Sequence, residues 1–379
     1  MKKTISLIFG TRPEAIKLAP IIKILENQSE LDFNAYVTGQ HKEMLQQVLD
    51  IFNIIPNENL SVMQENQTLS GLTARLLTGI DDYLARTKPD LVLAQGDTTT
   101  VFAAALACFY KKIPFGHVEA GLRTYNLQAP WPEEANRQIT SRIATLHFAP
   151  TEHAKRALLE EGVPGNSVFL TGNTVVDALQ FVVERLPKHD AEIQAAIPKN
   201  LLTTTDRIVL VTGHRRENFN GGIERVCNAV HSLAEEFPDV HFVYPVHLNP
   251  RVQQAVQEVI GETQDNVHLL PPLSYIPFVW LMQKAHSIIT DSGGIQEEAP
   301  SLGKPVLVTR EVTERPEGIK TGSTLLVGTD VACIVKNMQK LLTDEAYYTS
   351  MAHATNPYGD GTAAEKIVAI CKKYLYEKQ

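Results

Sequence analysis

Cysteine is scarce in this sequence of 379 residues. The four cysteines, Cys108, Cys227, Cys333 and Cys371, lie far apart, and no two of them form a Cys-x-x-Cys pair. This spacing argues against a structural zinc site and a disulfide framework, and it favours reduced thiols. With 44% hydrophobic residues, a chain of this length can form a large core without cross-links.

Long apolar runs and basic stripes are missing as well. No run of about 18 apolar residues occurs that could span a membrane, and the N-terminus lacks the basic and apolar segments of a signal peptide. The 43 acidic and 35 basic residues are interspersed and give a formal net charge of -8. We therefore expect a cytoplasmic protein that binds neither membranes nor nucleic acid. A small anionic ligand is compatible with this charge, because a few local basic residues suffice to bind it.

The common cofactor motifs are also absent. Neither half of the chain has Gly-x-Gly-x-x-Gly after its first predicted strand, and Gly-x-x-x-x-Gly-Lys-Ser/Thr and His-Glu-x-x-His do not occur. NAD binding, ATP hydrolysis and a metalloprotease-like site therefore lose their usual sequence support, and we expect no cofactor and no metal.

The sequence does contain a repeated alternation of short apolar runs with longer amphipathic segments. This pattern predicts an α/β fold with parallel sheets that are buried on both faces. The predicted strands are residues 5–9, 33–38, 91–94, 115–118, 146–149 and 168–171, followed by 207–212, 241–244, 267–270, 287–290 and 305–308. The two series predict two Rossmann-like doubly wound domains that bind ligand in a central cleft, at the carboxyl ends of their strands.

The first predicted strand runs into a turn and a helix start at residues 10–17. Thr11 and Glu14 form a capping box, and Pro13 is tolerated in the first helical turn. Arg12 is not explained by helix initiation, because a cation in the first turn opposes the helix dipole. Its presence there favours a bound anion.

Three acidic residues, Asp97, Glu119 and Glu133, lie at or beside successive strand ends in the first half. Each alone could be a helix cap or a surface ion-pair partner, but their shared location favours acid/base chemistry. In the second half, His214 precedes two arginines at a strand end, which favours an anion-binding or acid/base role. The Ser-Gly-Gly turn at residues 292–294 suits a phosphate. These residues point to an enzyme for a nucleotide-linked anionic substrate and leave its reaction open.

Six motifs, in their order and spacing, resemble those of the non-hydrolysing UDP-N-acetylglucosamine 2-epimerases, and the similarity extends over nearly the whole chain. The motifs are FGTRPEAIK at residues 9–17, GDTTT at 96–100, GHVEAGLR at 116–123, WPEEANR at 131–137, GHRREN at 213–218 and DSGGIQEE at 291–298.

The resemblance implies a glycosyltransferase-B-like pair of Rossmann-like domains. The N-terminal domain would comprise residues 1–173 and be completed by the C-terminal helix 362–379, and residues 174–361 would form the UDP-binding domain. It further implies a homodimer that interconverts UDP-N-acetylglucosamine and UDP-N-acetylmannosamine and supplies precursors of bacterial surface polysaccharide. The family's route eliminates UDP through a bound 2-acetamidoglucal and adds it back on the other face.

The resemblance also implies roles for individual residues. The catalytic residues would be Asp97, Glu119, Glu133 and His214. The substrate-binding residues would be Arg12, Lys17, Arg215, Phe278, Ser292, Gly293, Gly294 and Glu298. Bacterial members often have a second, activating substrate site, which would here involve Gln40, His41, Gln67, Arg215 and His247. Some members have an arginine at the position of Asn66.

Two other functions are compatible with the same fold. A UDP-sugar glycosyltransferase would need an acceptor groove, and a non-catalytic nucleotide-sugar sensor would not need the acid/base residues. The presence of Asp97, Glu119, Glu133 and His214 together argues against the sensor. A relative that acts on another UDP-2-acetamido sugar would share all six motifs.

Overall fold

The computed structural model describes residues 2–39, 42–63, 67–261 and 264–377, with residues 42–44 and 216 described by their backbone only. The chain divides into two compact units. The N-terminal unit comprises Met1–Ala178 together with Tyr358–Gln379, and the C-terminal unit comprises Leu179–Pro357. Each unit contains a parallel sheet with interleaved helices, so the predicted α/β class is confirmed.

The strands of the described residues fall into two series. The N-terminal unit contains β1 (Lys3–Phe9), β2 (Leu31–Val37), β3 (Glu58–Asn59), β4 (Leu91–Gln95), β5 (Phe115–Val118), β6 (Leu146–Ala149) and β7 (Val168–Leu170). The C-terminal unit contains β8 (Arg207–Thr212), β9 (Val240–Pro245), β10 (Val267–Leu270), β11 (Ser287–Thr290), β12 (Val306–Val308) and β13 (Thr324–Leu326).

Helices occupy most of the intervals between the strands. They are α1 (Arg12–Leu25), α2 (Lys42–Ile51), α3 (Leu69–Thr87), α4 (Thr99–Lys111), α5 (Glu133–Ile143), α6 (Glu152–Glu160), α7 (Thr174–Val183), α8 (Asp190–Ala196), α9 (Lys199–Thr203), α10 (Gly222–Glu236), α11 (Pro250–Val259), α12 (Tyr275–Lys284), α13 (Gly293–Glu298), α14 (Pro316–Thr321), α15 (Val331–Thr343), α16 (Glu345–Ala352) and α17 (Ala363–Glu377). Short 3₁₀ turns lie at Gly165–Ser167, Leu186–His189, Arg216–Asn218 and Ala299–Leu302.

Both sheets are doubly wound. The strand order is β3-β2-β1-β4-β5-β6-β7 in the N-terminal unit and β10-β9-β8-β11-β12-β13 in the C-terminal unit. In each sheet the order reverses beside the first strand, between β1 and β4 and between β8 and β11. Ligands of such sheets bind at the carboxyl ends of the strands at this reversal. The topology therefore predicts one ligand-binding position in each unit, at the carboxyl ends of β1 and β4 and of β8 and β11.

The cores explain why the strands have nearly continuous apolar sequences. Ile5, Leu7, Ile8 and Phe9 of β1 are all fully buried although successive side chains point to opposite faces of the sheet. Helices cover both faces, so polar residues inside a strand need a partner. Ser6 satisfies this requirement through a 2.8 Å hydrogen bond with the Tyr83 hydroxyl.

Every predicted strand is present, with ends that differ by no more than a few residues. The sequence did not predict β3 and β13, because strands of two and three residues are too short to produce an apolar run. The C-terminal segment forms α17, which packs against α1 within the N-terminal unit. All four cysteines are free. Among the helices of the described ranges, none combines the length and hydropathy that a transmembrane span requires.

Candidate functional site

The turn after β1 is built around the buried carboxylate of Glu14. Its Oε2 accepts hydrogen bonds from the backbone N–H of Gly10 at 2.8 Å and of Thr11 at 2.6 Å, and its Oε1 accepts one from the Thr98 hydroxyl at 2.5 Å. Burial raises the pKa of Glu14, and these donors lower it in part. The predicted capping box is therefore present, and Glu14 also connects the first turn of α1 to the loop after β4. Arg12, half-buried, is the first residue of α1.

Glu119 follows β5, and donors from α1, from β4 and from the residue before α7 contact its carboxylate. Lys17 of α1 donates to Oε1 at 2.6 Å, and the side-chain amide of Asn173 donates to the same oxygen at 3.1 Å. The Gln95 amide, at the end of β4, donates to Oε2. The side chain of Glu119 is 6% exposed, and its backbone has φ +65°. A left-handed non-glycine residue costs about 1 kcal/mol or more and occurs preferentially at functional sites, which supports a special role for Glu119.

Asp97 lies in the loop between β4 and α4. Its Oδ2 accepts a 2.6 Å hydrogen bond from Nη2 of Arg137, and its backbone carbonyl accepts one from the Asn136 amide at 2.9 Å. Arg137 is almost completely buried on α5, whereas the Asp97 side chain is 26% exposed. The pair places a carboxylate beside the reversal of strand order, where part of its surface is open to a ligand.

Glu133 is the first residue of α5 and lines a cavity of about 280 Å³ within the N-terminal unit. Thr11 from the turn after β1 and Thr98 from the loop after β4 line the same cavity. Among the described residues, Met63, Gln67, Leu69, Leu72, Thr99, Pro132 and Asn136 also line it. The fold therefore brings the three predicted carboxylates to the carboxyl edge of one sheet, each in a different environment.

His214 lies in the loop after β8, and the buried carboxylate of Asp291 holds that loop. Asp291 follows β11 and accepts hydrogen bonds from the backbone N–H of His214 at 3.0 Å and of Arg215 at 2.9 Å, and from the Asn218 amide at 3.1 Å. Nδ1 of His214 is 3.4 Å from Asp291 Oδ1, and its ring stacks on that of His247 with the centroids 5.4 Å apart. Burial lowers the pKa of His214, Asp291 raises it, and Arg215 and His247 lower it further.

The Ser-Gly-Gly turn leads from β11 into α13. The N–H of Ser292 donates to the Thr290 hydroxyl at 2.9 Å. A Cβ at Gly293 would lie 2.7 Å from Nη1 of Arg315, so a side chain there would displace this guanidinium group. Arg315 in turn donates from Nε to the buried Glu297 at 2.6 Å. The turn therefore lies against a guanidinium group.

The other predicted nucleotide-binding residues are on α12 and α13. Glu298 is largely buried, and its Oε1 accepts a 2.9 Å hydrogen bond from the Tyr275 hydroxyl. A Cβ at Gly294 would lie 3.7 Å from Glu298 Oε2, which is an ordinary contact. Phe278 is half-buried on α12, one turn after Tyr275.

The residues predicted for a second substrate site are described only in part. Gln40, His41 and Asn66 lie outside the described residues. Gln67 accepts a 2.5 Å hydrogen bond from Arg75 and lines the cavity beside Glu133. His247 is exposed, and its Nδ1 accepts a hydrogen bond from the backbone N–H of Asn249 at 3.1 Å.

The structure adds residues around the predicted site that sequence reasoning missed. They are Gln95, Arg137, Asn173, Asp291 and Arg315. Arg137 lies in the WPEEANR motif and Asp291 in the DSGGIQEE motif, so the motifs could have indicated both residues. Asn173 and Arg315 lie outside every motif, and only the tertiary contacts identify them.

Comparisons with known proteins identify the family of this chain. A family model described as UDP-N-acetylglucosamine 2-epimerase matches residues 23–372. A probable UDP-N-acetylglucosamine 2-epimerase of Ralstonia nicotianae is 53% identical over 378 residues, which cover 99% of this chain and 100% of that protein. The UDP-N-acetylglucosamine 2-epimerase of Yersinia pestis is 51% identical over 369 residues, which cover 97% of this chain and 98% of that protein.

Solved structures lead to the same result. The UDP-GlcNAc 2-epimerase of Neisseria meningitidis, crystallised with UDP-GlcNAc, superposes with a TM-score of 0.90 at 47% identity and covers 98% of this chain and 100% of its own. The enzyme of Methanocaldococcus jannaschii, in complex with UDP-GlcNAc and UDP, has a TM-score of 0.80 at 33% identity, with 97% and 99% covered. The chain therefore belongs to the UDP-N-acetylglucosamine 2-epimerase family of isomerases.

Proposed function

We propose that this enzyme reversibly converts UDP-N-acetylglucosamine to UDP-N-acetylmannosamine. The observation that carries the proposal is the group of three carboxylates, Asp97, Glu119 and Glu133, at the carboxyl edge of one doubly wound sheet. Family membership favours the epimerase over the glycosyltransferase and the sensor. The ligands named for the Neisseria and Methanocaldococcus structures support UDP-GlcNAc as substrate and UDP as a ligand.

The chemistry of the substrate dictates the route. The C2 hydrogen of the sugar has no adjacent carbonyl, so its removal as a proton would leave an unstabilised carbanion. Loss of UDP from C1 during proton removal avoids this carbanion, because the C2–H electron pair forms the C1=C2 double bond of 2-acetamidoglucal. The C1–O electron pair leaves with UDP in an anti elimination. Re-addition of UDP at C1 with protonation of C2 on the opposite face then gives the epimer.

Proton transfer on two faces of the sugar needs groups in different environments. Glu119 is nearly buried and is held by Lys17, whereas Asp97 is partly exposed and paired with Arg137. Glu133 borders the cavity that Thr11 and Thr98 also line. We assign the proton transfers at C2 to these three carboxylates.

Departure of UDP places negative charge on the diphosphate, which fixed cations and N–H donors stabilise. We assign this task to Arg12, Lys17, Arg215 and His214, and to the turn of Ser292, Gly293 and Gly294. Glu298 would bind the ribose hydroxyls, and Phe278 would lie beside the uracil. We further infer that the enzyme is a cytoplasmic homodimer and supplies precursors of surface polysaccharide.

The decisive experiment incubates the protein with UDP-N-acetylglucosamine alone in deuterium oxide. We expect UDP-N-acetylmannosamine with deuterium at C2, detected by NMR and mass spectrometry, because the C2 proton exchanges with solvent through the intermediate. A Glu119→Gln variant serves as the control for an enzyme contaminant.

Each alternative function predicts a different result in the same experiment. A glycosyltransferase would release UDP only after an acceptor is added, and a sensor would bind the nucleotide sugar without converting it. The epimerase proposal is contradicted if a correctly folded protein produces no epimer and incorporates no deuterium at C2.

A further inference from the structure

The amide of Asn173 has a defined orientation. Asn173 lies directly before α7 and is 3% exposed. Its Oδ1 accepts a 3.1 Å hydrogen bond from the backbone N–H of Val175, so that side of the amide must be the carbonyl. Nδ2 consequently faces Glu119 and donates to its Oε1 at 3.1 Å. The local turn therefore determines which atom reaches the predicted catalytic carboxylate.

The backbone of Asn173 is held by a segment that is distant in sequence. Its N–H donates to the carbonyl of Tyr358 at 2.7 Å. The Tyr358 side chain is buried and packs with Val175 and Val176 of α7. Within the same unit, the N–H of Ala364 donates to Asp177 of α7 at 2.8 Å. The chain just before α17 is therefore bonded to the turn that carries Asn173.

Two glycines permit this close approach. Gly172 has φ +89°, and a Cβ there would lie 3.3 Å from the Tyr358 carbonyl oxygen. Gly359 has φ +117°, and a Cβ there would lie 3.3 Å from the Cα of Gly172. Both backbone conformations are ones that residues with a side chain rarely adopt. The contact thus depends on glycine at both positions.

We propose that Asn173 is a positioning residue for Glu119 and that the backbone around Tyr358 and Gly359 holds it in place. This inference rests on the proposed function, because it assigns Glu119 a part in proton transfer. The amide is an uncharged donor and fixes one carboxylate oxygen without adding a second cation beside Lys17. A carboxylate that moves protons at a carbon atom needs such fixed geometry, since small displacements reduce the rate strongly.

The test compares Asn173→Asp with Asn173→Ala. Aspartate keeps the acceptor for the Val175 N–H but turns a carboxylate oxygen towards Glu119, whereas alanine removes both contacts. We expect kcat for epimerisation to fall about 100-fold in Asn173→Asp and about 10-fold in Asn173→Ala. KM for UDP-N-acetylglucosamine should stay within about twofold in both, because Asn173 acts on the carboxylate and not on the bound UDP.

A purely structural role predicts the opposite order, because aspartate preserves the turn and alanine does not. Equal or higher kcat in Asn173→Asp than in Asn173→Ala, or a wild-type kcat in both, would overturn the inference. If Asn173→Asp does not fold by circular dichroism, the alanine variant decides: a lower kcat at constant KM supports positioning, and any other result contradicts it. Asn337→Asp is the charge-matched control, since the half-buried Asn337 amide donates to Cys333, one turn earlier in α15.

The activity of the wild-type protein distinguishes a failure of this inference from a failure of the proposed function. Absence of epimerisation by the wild-type enzyme contradicts the proposed function, whatever the variants do. Epimerisation by the wild type with unaltered kcat in both Asn173 variants contradicts only the positioning role.

Discussion

Asp97 and Asp291 occupy equivalent places in the two sheets, but their surroundings differ. Each follows the strand that lies across the reversal of strand order, β4 in one unit and β11 in the other. The Asp97 side chain is 26% exposed and pairs with a guanidinium, whereas the Asp291 side chain is fully buried and accepts backbone N–H groups. A carboxylate at this position can react only if a ligand can reach it. The exposure of Asp97 is therefore compatible with the proton-transfer role proposed for it, and the complete burial of Asp291 favours a structural role.

The largest expected effect is the loss of kcat in Asp97→Asn, which tests the proton-transfer role proposed for Asp97. Asp97→Asn should lower kcat by about 1000-fold, because the amide cannot take part in proton transfer. The free energy of unfolding should change little, since the asparagine Oδ1 still accepts from Arg137. Initial rates and urea denaturation measure both quantities. Asp330→Asn, at the exposed N-cap of α15, is the matched control, and a kcat for Asp97→Asn near that of the control would remove Asp97 from the catalytic group.

Asp291→Asn should act mainly on stability, in contrast to Asp97→Asn, which should act mainly on kcat. An asparagine keeps one acceptor oxygen for the N–H groups of His214 and Arg215, but its NH2 group would replace Oδ1, which lies 3.2 Å from the His214 nitrogen. A buried donor that faces this N–H should lower the free energy of unfolding by about 1–3 kcal/mol. The pKa of His214, which the Asp291 carboxylate raises, should fall further below its usual value. Chemical denaturation and a histidine NMR titration test these effects. An unchanged His214 titration would show that the carboxylate does not act on the ring.

Arg12→Ala tests the charge at the start of α1. We expect kcat/KM to fall about 100-fold, which corresponds to about 2.7 kcal/mol of lost transition-state stabilisation. Folding should be almost unaffected, because a cation in the first helical turn does not favour the helix dipole. Arg12→Lys should retain part of the activity. An Arg12→Ala variant that loses stability in proportion to its activity would instead indicate a structural residue.

Glu14→Ala tests the structural role of the Glu14 carboxylate in the turn that also carries Arg12. The change leaves the N–H groups of Gly10 and Thr11 and the Thr98 hydroxyl without their acceptor, and should lower the free energy of unfolding by about 1–2 kcal/mol. Glu365→Ala, in the exposed first turn of α17, is the control and should cost much less. Equal losses in thermal unfolding experiments would contradict the role assigned to Glu14.

The smallest effect concerns the proposed second substrate site. Gln67→Ala should leave kcat at saturating substrate within about twofold, since Gln67 is not among the predicted catalytic residues. A second, activating substrate site predicts that the wild-type rate depends cooperatively on UDP-N-acetylglucosamine concentration, and we expect Gln67→Ala to lose this cooperativity. Initial rates over a wide substrate range measure this effect, and an unchanged dependence would count against the second site.

Much of the fold followed from the sequence because buried parallel strands produce apolar runs of predictable length. The capping box of Thr11 and Glu14 was equally accessible, since it depends on residues three positions apart. The strands β3 and β13 were missed because they are too short to produce a pattern. Asn173 was missed for a different reason: it contacts Glu119, 54 positions earlier, and Tyr358, 185 positions later, and no local pattern records such contacts.

The sequence by itself determined the α/β class, the strand series, the helix start at Thr11 and the family resemblance, because these depend on local periodicity and on motifs of adjacent residues. Only the tertiary structure decided that β1 lies beside β4 and β8 beside β11, and that Glu119 receives donors from α1, β4 and the residue before α7. It also distinguished Asp97 from Asp291, since exposure and hydrogen-bond partners arise from residues brought together by packing. The chemistry of a carboxylate depends on those neighbours, and for that reason the sequence could name the carboxylates but not their roles.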